Sequence, residues 1–162
     1  MRQLVEVQGA HPDLPPQQAF SVLGNFESHV RLSEVVRSVH VERLEGGERR
    51  SHWEVAFRNG ILRWSQRDDF DERRMLVRYS LLSGDPAELE GHWRVTPHGQ
   101  GCRVHFQSEF DLGIGSFGEL LDPLAARILR ETVVAQMSQI FGPRFAVETP
   151  GPPLPRAAPA LR

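Results

Sequence analysis

Two stretches of alternating residues flank a polar turn in the middle of the chain. Trp64, Gln66 and Asp68 alternate with polar or charged residues, and the alternation resumes from Met75 through Tyr79. Because neighbouring side chains of a strand point to opposite faces of a sheet, this pattern predicts a β-hairpin with one face turned inward. That face then carries an amide and a carboxyl group, whose burial is costly unless they are hydrogen-bonded.

A second hairpin is predicted immediately before the first. Apolar residues alternate up to Asn59-Gly60, and both turn residues tolerate the positive φ of a type I′ turn. Arg63 and Arg67 fall on the opposite face from Trp64, so we expect the Trp64 face to be interior. A two-residue loop at Asn59-Gly60 sets the register, in which the pairs are Phe57 with Leu62, Val55 with Trp64, Trp53 with Gln66 and Ser51 with Asp68.

The remaining patterns complete the predicted fold. A first strand over residues 3–9 is followed by two short helices, the first opening at Pro15-Pro16, and further strands alternate through residues 89–95 and 104–110. Residues 116–141 carry apolar residues at helical spacing, which predicts a long amphipathic helix. This order indicates an α+β fold in which about six or seven antiparallel strands curve around the last helix.

The common parity of the strands predicts one concave face packed against the long helix. A slip of one residue in the Asn59-Gly60 register would turn every hairpin side chain to the other side of the sheet. The residues expected on the concave face are Trp53, Val55, Phe57, Leu62, Trp64, Val77, Tyr79, Trp93, Val104, Phe106 and Phe110.

Length and charge limit the classes of function. The chain has 162 residues, of which 40% are hydrophobic, and this is enough for one domain, which we place at residues 1–148. Residues 149–162 are rich in proline and are predicted to be a disordered tail. The net charge of -2 offers no concentrated basic surface, so we expect neither a nucleic-acid partner nor an anionic membrane surface.

Residue usage excludes several kinds of chemistry. Cys102 is the one cysteine, so neither an intramolecular disulfide nor a cysteine-based zinc cluster can form, and we expect a cytoplasmic protein. All 19 basic residues are arginine, which excludes Schiff-base catalysis by lysine and a Walker loop. No targeting segment, membrane span, metal-ligand set or cofactor motif is found, so we expect no cofactor and no metal.

Three polar residues on the inward face are candidate catalytic groups. An inward Asp68 in an apolar cavity would have a raised pKa and could act as a general acid or base, but it could equally pair with an arginine at the sheet rim or with Ser51. Gln66 and Tyr79 become cross-strand neighbours if the loop spans residues 71–74. Together they could hold a carbonyl oxygen, or Tyr79 could be an ordinary core tyrosine.

Five further residues are candidate ligand contacts, namely Trp53, Trp64, Trp93, Phe106 and Ser108. The tryptophans either line a cavity or simply pack in the core, since aromatic side chains dominate ordinary protein cores. Ser108 lies in phase with the phenylalanines of its strand. It is therefore a polar group of the cavity or a core serine bonded to the backbone.

The chain also resembles a known family in the run WSQRDDFDERRMLVRYSLLSGDPAELEGHWRVTPHGQGCRVHFQSEFDLGI, followed by ELLDPLAARILRETV. The tryptophan strand, the acidic turn, the G-x-W strand, the E-F-D strand end and the closing helix are similar to the polyketide cyclase/aromatase branch of the START-like, Bet v 1-like superfamily. The resemblance covers roughly residues 3–142 and is spread along the chain rather than concentrated in one motif.

The resemblance implies a helix-grip fold with a deep cavity between the sheet and the long helix. Members bind apolar or aromatic ligands there, and the cyclases fold a poly-β-ketone chain for aldol ring closure and dehydration. The chain departs from the family where aromatase/cyclases carry an inward arginine, because the matching position is Asp68 and Arg67 is predicted to point outward. Ser28 and Val35 also replace aromatic positions of the second short helix.

Two hypotheses of function follow from the resemblance. The first is a cofactor-independent cyclase, aromatase or dehydratase acting on a polyketide or aromatic precursor, for which an acyl carrier protein is a candidate delivery partner. The second is a non-catalytic carrier of a lipid, quinone or other apolar ligand. The sequence favours neither a monomer nor a homodimer.

Overall fold

A computed structural model describes residues 2–57, 60–113 and 118–148, with the side chains of residues 47, 57 and 118–123 excepted. In that part of the chain the strands are β1 (Gln3–His11), β2 (Val36–Arg43), β3 (Arg49–Phe57), β4 (Gly60–Asp71), β5 (Leu76–Gly84), β6 (Glu88–His98), β7 (Gly101–Asp111) and β8 (Ala146–Val147). The helices are α1 (Pro16–Gly24), α2 (His29–Leu32) and α3 (Gly118–Phe141), with short 3-10 turns at Phe26–Ser28 and Glu45–Gly47.

The strands form one antiparallel sheet in the order β2-β3-β4-β5-β6-β7-β1-β8. The long helix α3 packs against this sheet through Val133, Met137 and Ile140, all of which are buried. The α+β helix-grip prediction is therefore confirmed. The strand count exceeds the predicted six or seven because β8 has only two residues, too few for an alternating pattern.

The predicted orientation of the β3–β4 hairpin is correct. The Arg63 side chain is 59% exposed, whereas Trp64 is partly buried against the core. Of the predicted concave face, Leu62 is likewise partly buried, and Trp53, Val55, Val77, Tyr79, Trp93, Val104, Phe106 and Phe110 are buried. The Phe57 side chain lies outside the described residues.

The predicted register of this hairpin is wrong by two residues. Phe57 pairs with Gly60, and Trp53 pairs with Trp64 instead of Gln66. The connection is therefore at residues 58–59, which the structure does not describe. The observed register sets the Trp53 and Trp64 rings parallel and offset, with centroids 6.0 Å apart and planes at 3°. The predicted register would lose this contact. Because the shift is even, every side chain keeps its face.

The register of the β4–β5 hairpin also differs from the prediction. Tyr79 lies opposite Asp68 and not opposite Gln66. The turn begins one residue later than predicted, since the Arg74 amide donates to the Asp71 carboxylate at 3.1 Å and Met75 has a φ of 50°. Met75, which the sequence placed on the strand, therefore belongs to the turn.

The ends of the predicted organisation lie beyond the described residues. Residues 114–117, at the predicted start of the long helix, and the tail at residues 149–162 both fall outside them. The single-domain boundary at residue 148 and the disordered tail thus stay predictions. In the part of the chain that is described, no helix has the length and apolar character needed to cross a bilayer.

Candidate functional site

A small apolar pocket lies between the concave face of the sheet and α3. Its volume is about 70 Å³. It is bordered by aromatic and aliphatic side chains of β3 to β7 and, from α3, by Leu129, Val133 and Gln136. Most small-molecule sites have a volume of roughly 300–1,000 Å³. The deep cavity implied by the family resemblance therefore stays a prediction, and a two-ring ligand would require this pocket to widen.

A larger groove runs over the opposite face of the sheet but is chemically different. It has a volume of about 670 Å³ and is bordered by charged, outward-facing side chains such as Arg67, Arg78 and Glu90. An open groove of this kind gives an apolar ligand no wall to bury against. The pocket beneath α3 is therefore the better candidate site.

Aromatic rings form the walls of the pocket. All 3 tryptophans of the chain border it, as does Phe106. Trp53 stacks on Trp64, and Trp93 packs on Phe106 with ring centroids 4.5 Å apart and planes at 55°. Stacked and tilted rings leave faces and edges that suit a flat, aromatic ligand.

A chain of hydrogen bonds runs behind these walls and ends at a carboxyl group. The Trp64 indole donates to Gln66 Oε1 at 2.7 Å, and Gln66 Nε2 donates to Asp68 Oδ1 at 2.6 Å. On the other side, the Trp53 indole donates to Ser51 Oγ at 2.8 Å, and the Ser51 hydroxyl donates to Asp68 Oδ2 at 2.6 Å. Both oxygens of Asp68 therefore accept hydrogen bonds that hold the two tryptophans.

Asp68 is unusually basic for a carboxylate. It is only 3% exposed, and burial raises its pKa to about 6, against the opposing effect of the Ser51 and Gln66 hydrogen bonds and of the Arg49 charge. Gln66 borders the pocket, whereas Asp68 is not among the described residues that do so. Asp68 therefore lies beside Gln66 on the same face of β4 but outside the pocket. Its hydrogen bond to Ser51 matches the structural alternative predicted for it.

Tyr79, Gly91 and Ser108 lie in one row across β5, β6 and β7. A Cβ atom at Gly91 would stand 2.6 Å from the Tyr79 hydroxyl and 2.1 Å from the Gln107 carbonyl oxygen, so glycine is required for Tyr79 to cross β6 toward Ser108. Burial raises the pKa of Tyr79, and the nearby Ser108 hydroxyl reduces this increase. Tyr79 consequently keeps its proton and is available as a donor.

Ser108 is a pocket residue whose fully buried hydroxyl lacks a hydrogen-bond partner in the described part of the chain. Its side chain is 0% exposed, and its hydroxyl lies close enough to the Tyr79 hydroxyl to affect the pKa of Tyr79. Even so, the geometry gives the Ser108 hydroxyl no well-formed hydrogen bond to Tyr79 or to any other described residue. Leaving a buried hydroxyl unpaired costs about 1–3 kcal/mol. The sequence left open whether Ser108 is a polar group of the cavity or a core serine bonded to the backbone. Ser108 borders the pocket, and its hydroxyl has no bond to the backbone of the described residues.

A second polar pair was missed by the sequence analysis. His29, in α2, is 0% exposed, and its Nε2 lies 3.0 Å from the Leu23 carbonyl oxygen. Its Nδ1 lies 2.9 Å from Nε2 of Gln136, a pocket residue. Burial lowers the pKa of His29 to about 4, so the ring is neutral and Nδ1 accepts from Gln136. Gln136 is a polar residue at apolar spacing from Val133 and Ile140, the same signal that singled out Gln66.

The structure thus brings seven of the eight predicted site residues to one pocket. Gln66, Tyr79 and the five predicted ligand contacts border it, and Asp68 is hydrogen-bonded to Gln66 from outside the pocket. Among the residues whose placement is described, no group of three or more histidine, cysteine, aspartate or glutamate side chains could hold a metal ion.

A family model described as "Polyketide cyclase / dehydrase and lipid transport" matches residues 4–140. The chain belongs to this family. Its description covers both cyclases or dehydratases and lipid transport, so membership leaves these two kinds of function open. No curated protein matches the chain significantly.

Solved structures share the fold of this family member. TTHA0849 from Thermus thermophilus has a TM-score of 0.79 and 26% identity over 85% of this chain and 94% of its own. The ZhuI aromatase/cyclase from Streptomyces sp. R1128 has a TM-score of 0.71 and 18% identity over 86% of this chain and 92% of its own. A START superfamily protein from Mycobacterium smegmatis has a TM-score of 0.65 and 14% identity over 85% of this chain and 92% of its own. At their low identity, the last two support the fold alone.

Proposed function

We propose that this protein binds a polyketide or a related aromatic precursor beneath α3 and promotes its aldol cyclisation or dehydration. The observation that carries the proposal is the unpaired hydroxyl of Ser108 beside Tyr79 in an otherwise apolar pocket. A purely apolar ligand would leave that hydroxyl unsatisfied, whereas a ligand oxygen would remove the cost of burying it. We therefore expect the bound molecule to carry an oxygen at this point.

Two hydroxyl donors near one ligand oxygen are suited to activating a carbonyl group. Tyr79 and Ser108 can both donate to a carbonyl oxygen that lies between them. Hydrogen bonds to that oxygen strengthen as negative charge develops on it, so they stabilise an enolate more than the starting ketone. In the ring-closing step the enolate carbon attacks a second carbonyl of the same chain, the resulting alkoxide takes up a proton, and loss of water then gives the dehydrated ring.

The proton that leaves the substrate needs an acceptor, and Asp68 takes this role in the proposal. Its pKa of about 6 makes it mostly ionised, but still a stronger base than an ordinary aspartate, at neutral pH. A carboxylate has about four lone-pair positions, so the bonds from Ser51 and Gln66 leave room for a proton. Because Asp68 lies beside Gln66 and outside the pocket, transfer requires a bridging water or a movement of Gln66.

A non-catalytic carrier is the second candidate. The observation that favours it is that the walls of the pocket are mainly aromatic and aliphatic. The volume of about 70 Å³ is as small for a lipid or quinone as for a poly-β-ketone chain, so it does not separate the two candidates. A carrier needs apolar walls and no proton transfer. In that case the Tyr79 and Ser108 hydroxyls would contribute to affinity but not to a rate.

The substitution Ser108→Ala separates these candidates when binding and product formation are both measured. If the hydroxyl activates the carbonyl, Ser108→Ala should lower turnover of a linear poly-β-ketone by roughly tenfold to a hundredfold and change Kd by less than about tenfold. The control is Ser80→Ala, an exposed serine of β5, which should change neither. Wild-type protein that binds the substrate without accelerating ring closure would contradict the enzyme and favour the carrier.

A further inference from the structure

We propose that Gln136 recognises a hydroxyl or enol group of the ligand through its side-chain oxygen, and that His29 fixes the orientation of this amide. The inference rests on the proposed function, since it requires a ligand in the pocket beneath α3, and it names the class of that ligand. It assigns Gln136 a role in specificity and His29 a role in positioning.

The hydrogen bonds of His29 determine which end of the Gln136 amide is free. His29 Nε2 donates to the Leu23 carbonyl oxygen, so the neutral ring has an acceptor and no proton at Nδ1. Only the NH₂ end of Gln136 can bond to that nitrogen. The amide is therefore held with its nitrogen on His29, and no hydrogen bond from a described residue reaches its oxygen, Oε1. Among the described side chains the fully buried polar atom without a partner is Ser108 Oγ, so Gln136 Oε1 is not fully buried and a molecule in the pocket can reach it.

The two amides of the pocket differ in this respect. Both ends of Gln66 are occupied, because Oε1 accepts from Trp64 and Nε2 donates to Asp68. Gln136 is 5% exposed and borders the same pocket, but only its nitrogen is paired among the residues that the structure describes. Of these two amides, Gln136 alone has an acceptor available for a ligand.

A free acceptor selects for a donor. Gln136 Oε1 can bind a phenol, an enol or an alcohol, whereas a ketone, an ether or a hydrocarbon would exclude water from this oxygen without replacing the hydrogen bond. Tyr79 and Ser108 supply donors to the same pocket. The pocket therefore matches a ligand that combines a carbonyl oxygen with a hydroxyl or enol group, as a partly enolised β-ketone or a phenolic ring does.

Two simple probes test this preference. 1-Naphthol and 1-methoxynaphthalene share a ring system, but only the naphthol has a hydroxyl donor, and titration calorimetry gives Kd for each. We expect wild-type protein to bind the naphthol about tenfold more tightly, as one hydrogen bond predicts. Gln136→Leu should reduce this preference to less than about twofold. The matched control is Gln139→Leu on the same helix, whose oxygen accepts from the Glu34 amide, and it should keep the preference.

The outcomes distinguish this inference from the proposed function. Equal affinity of wild-type protein for the two probes, or an unchanged preference in Gln136→Leu, would overturn the role of Gln136 and leave the proposed function standing. Failure of both probes to bind would count against the proposed pocket itself, and so against both. If Gln136→Leu does not fold, wild-type protein supplies the test by NMR. Both probes shift nearby resonances through their ring currents, so the readout is the Gln136 side-chain carbonyl carbon, which a hydrogen bond to Oε1 moves downfield. This resonance should move further downfield with 1-naphthol than with its methyl ether, and equal movement would overturn the inference.

Discussion

At the scale of single residues, two buried titratable groups lie on either side of Trp53. The His29 ring packs edge-on against Trp53 with centroids 5.8 Å apart, and the Trp53 indole reaches Asp68 through Ser51. Burial disfavours the charged form of both groups. Because aspartate is charged above its pKa and histidine below it, the two pKa values shift in opposite directions. It raises the pKa of Asp68 to about 6 and lowers the pKa of His29 to about 4.

Asp68 should therefore make the fold less stable as the pH rises from about 4 to about 6. In the unfolded chain Asp68 ionises near pH 3.8, whereas in the folded protein it keeps its proton until about pH 6. The shift of about two pKa units corresponds to roughly 3 kcal/mol. We expect Asp68→Asn to gain about that much unfolding free energy relative to wild type between pH 4 and pH 7, in denaturant titrations at several pH values.

The exposed neighbour Asp69 provides the matched control for this prediction. Asp69→Asn should follow the wild-type pH dependence. His29 has the opposite effect on stability, and it has this effect in wild type and in both variants. Folding favours its neutral form, so stability is lost as the pH falls from 6.5 to about 4. If the difference in unfolding free energy between wild type and Asp68→Asn stays constant from pH 4 to pH 7, the burial of an ionisable Asp68 is contradicted.

At the scale of the elements, strand orientation could be predicted from the sequence but strand register could not. The inward face of the β3–β4 hairpin follows from parity, which the charged Arg63 and Arg67 specify. The register depends on contacts between strands, here the Trp53–Trp64 stack. A shift of two residues preserves every face, so hydrophobic patterning cannot detect it. The irregularity between Ser65 and Gln66 in β4 is equally invisible in the alternation.

The sequence predicted the site residues of the strands but not the hydrogen bond that joins two helices. Gln66 and Tyr79 lie on strands whose inward face was clear from the sequence. The bond between His29 and Gln136 joins α2 to α3, and nothing local in the sequence indicates how these helices meet. Ser108 was placed correctly on the inward face, but its lack of a partner among the described residues depends on every side chain around it.

At the scale of the whole molecule, the segment after α3 packs on the domain and adds the edge strand β8 beside β1. Phe145 is buried, its ring centroid is 5.0 Å from that of Phe141, and it fills the space beside Gly9, where a Cβ atom would come within 2.4 Å of the ring. The Glu148 amide donates to the Gln8 carbonyl oxygen at 2.7 Å, and its carboxylate accepts from Arg103 at 2.9 Å. The chain is therefore part of the folded unit as far as residue 148.

Two truncations test where the folded unit ends. Removing residues 149–162 should change the melting temperature by less than about 2 °C, because this proline-rich segment has little apolar surface to bury. Removing residues 143–162 also deletes Phe145 and β8. Loss of a buried phenylalanine costs roughly 3–5 kcal/mol, so we expect a fall of roughly 6–20 °C by calorimetry. A large fall after the shorter truncation would show that the tail packs on the domain.

The central claim is that polar groups of the pocket act on the bound ligand, and Tyr79→Phe tests it most directly. This change removes one hydroxyl and keeps the ring that packs edge-on against Phe106 at 6.3 Å. Kd and the rate of cyclised product formation should both be measured for wild type and variant with the same linear poly-β-ketone. We predict a Kd within about tenfold of wild type and a turnover lower by on the order of a hundredfold. Unchanged turnover in Tyr79→Phe would contradict the claim.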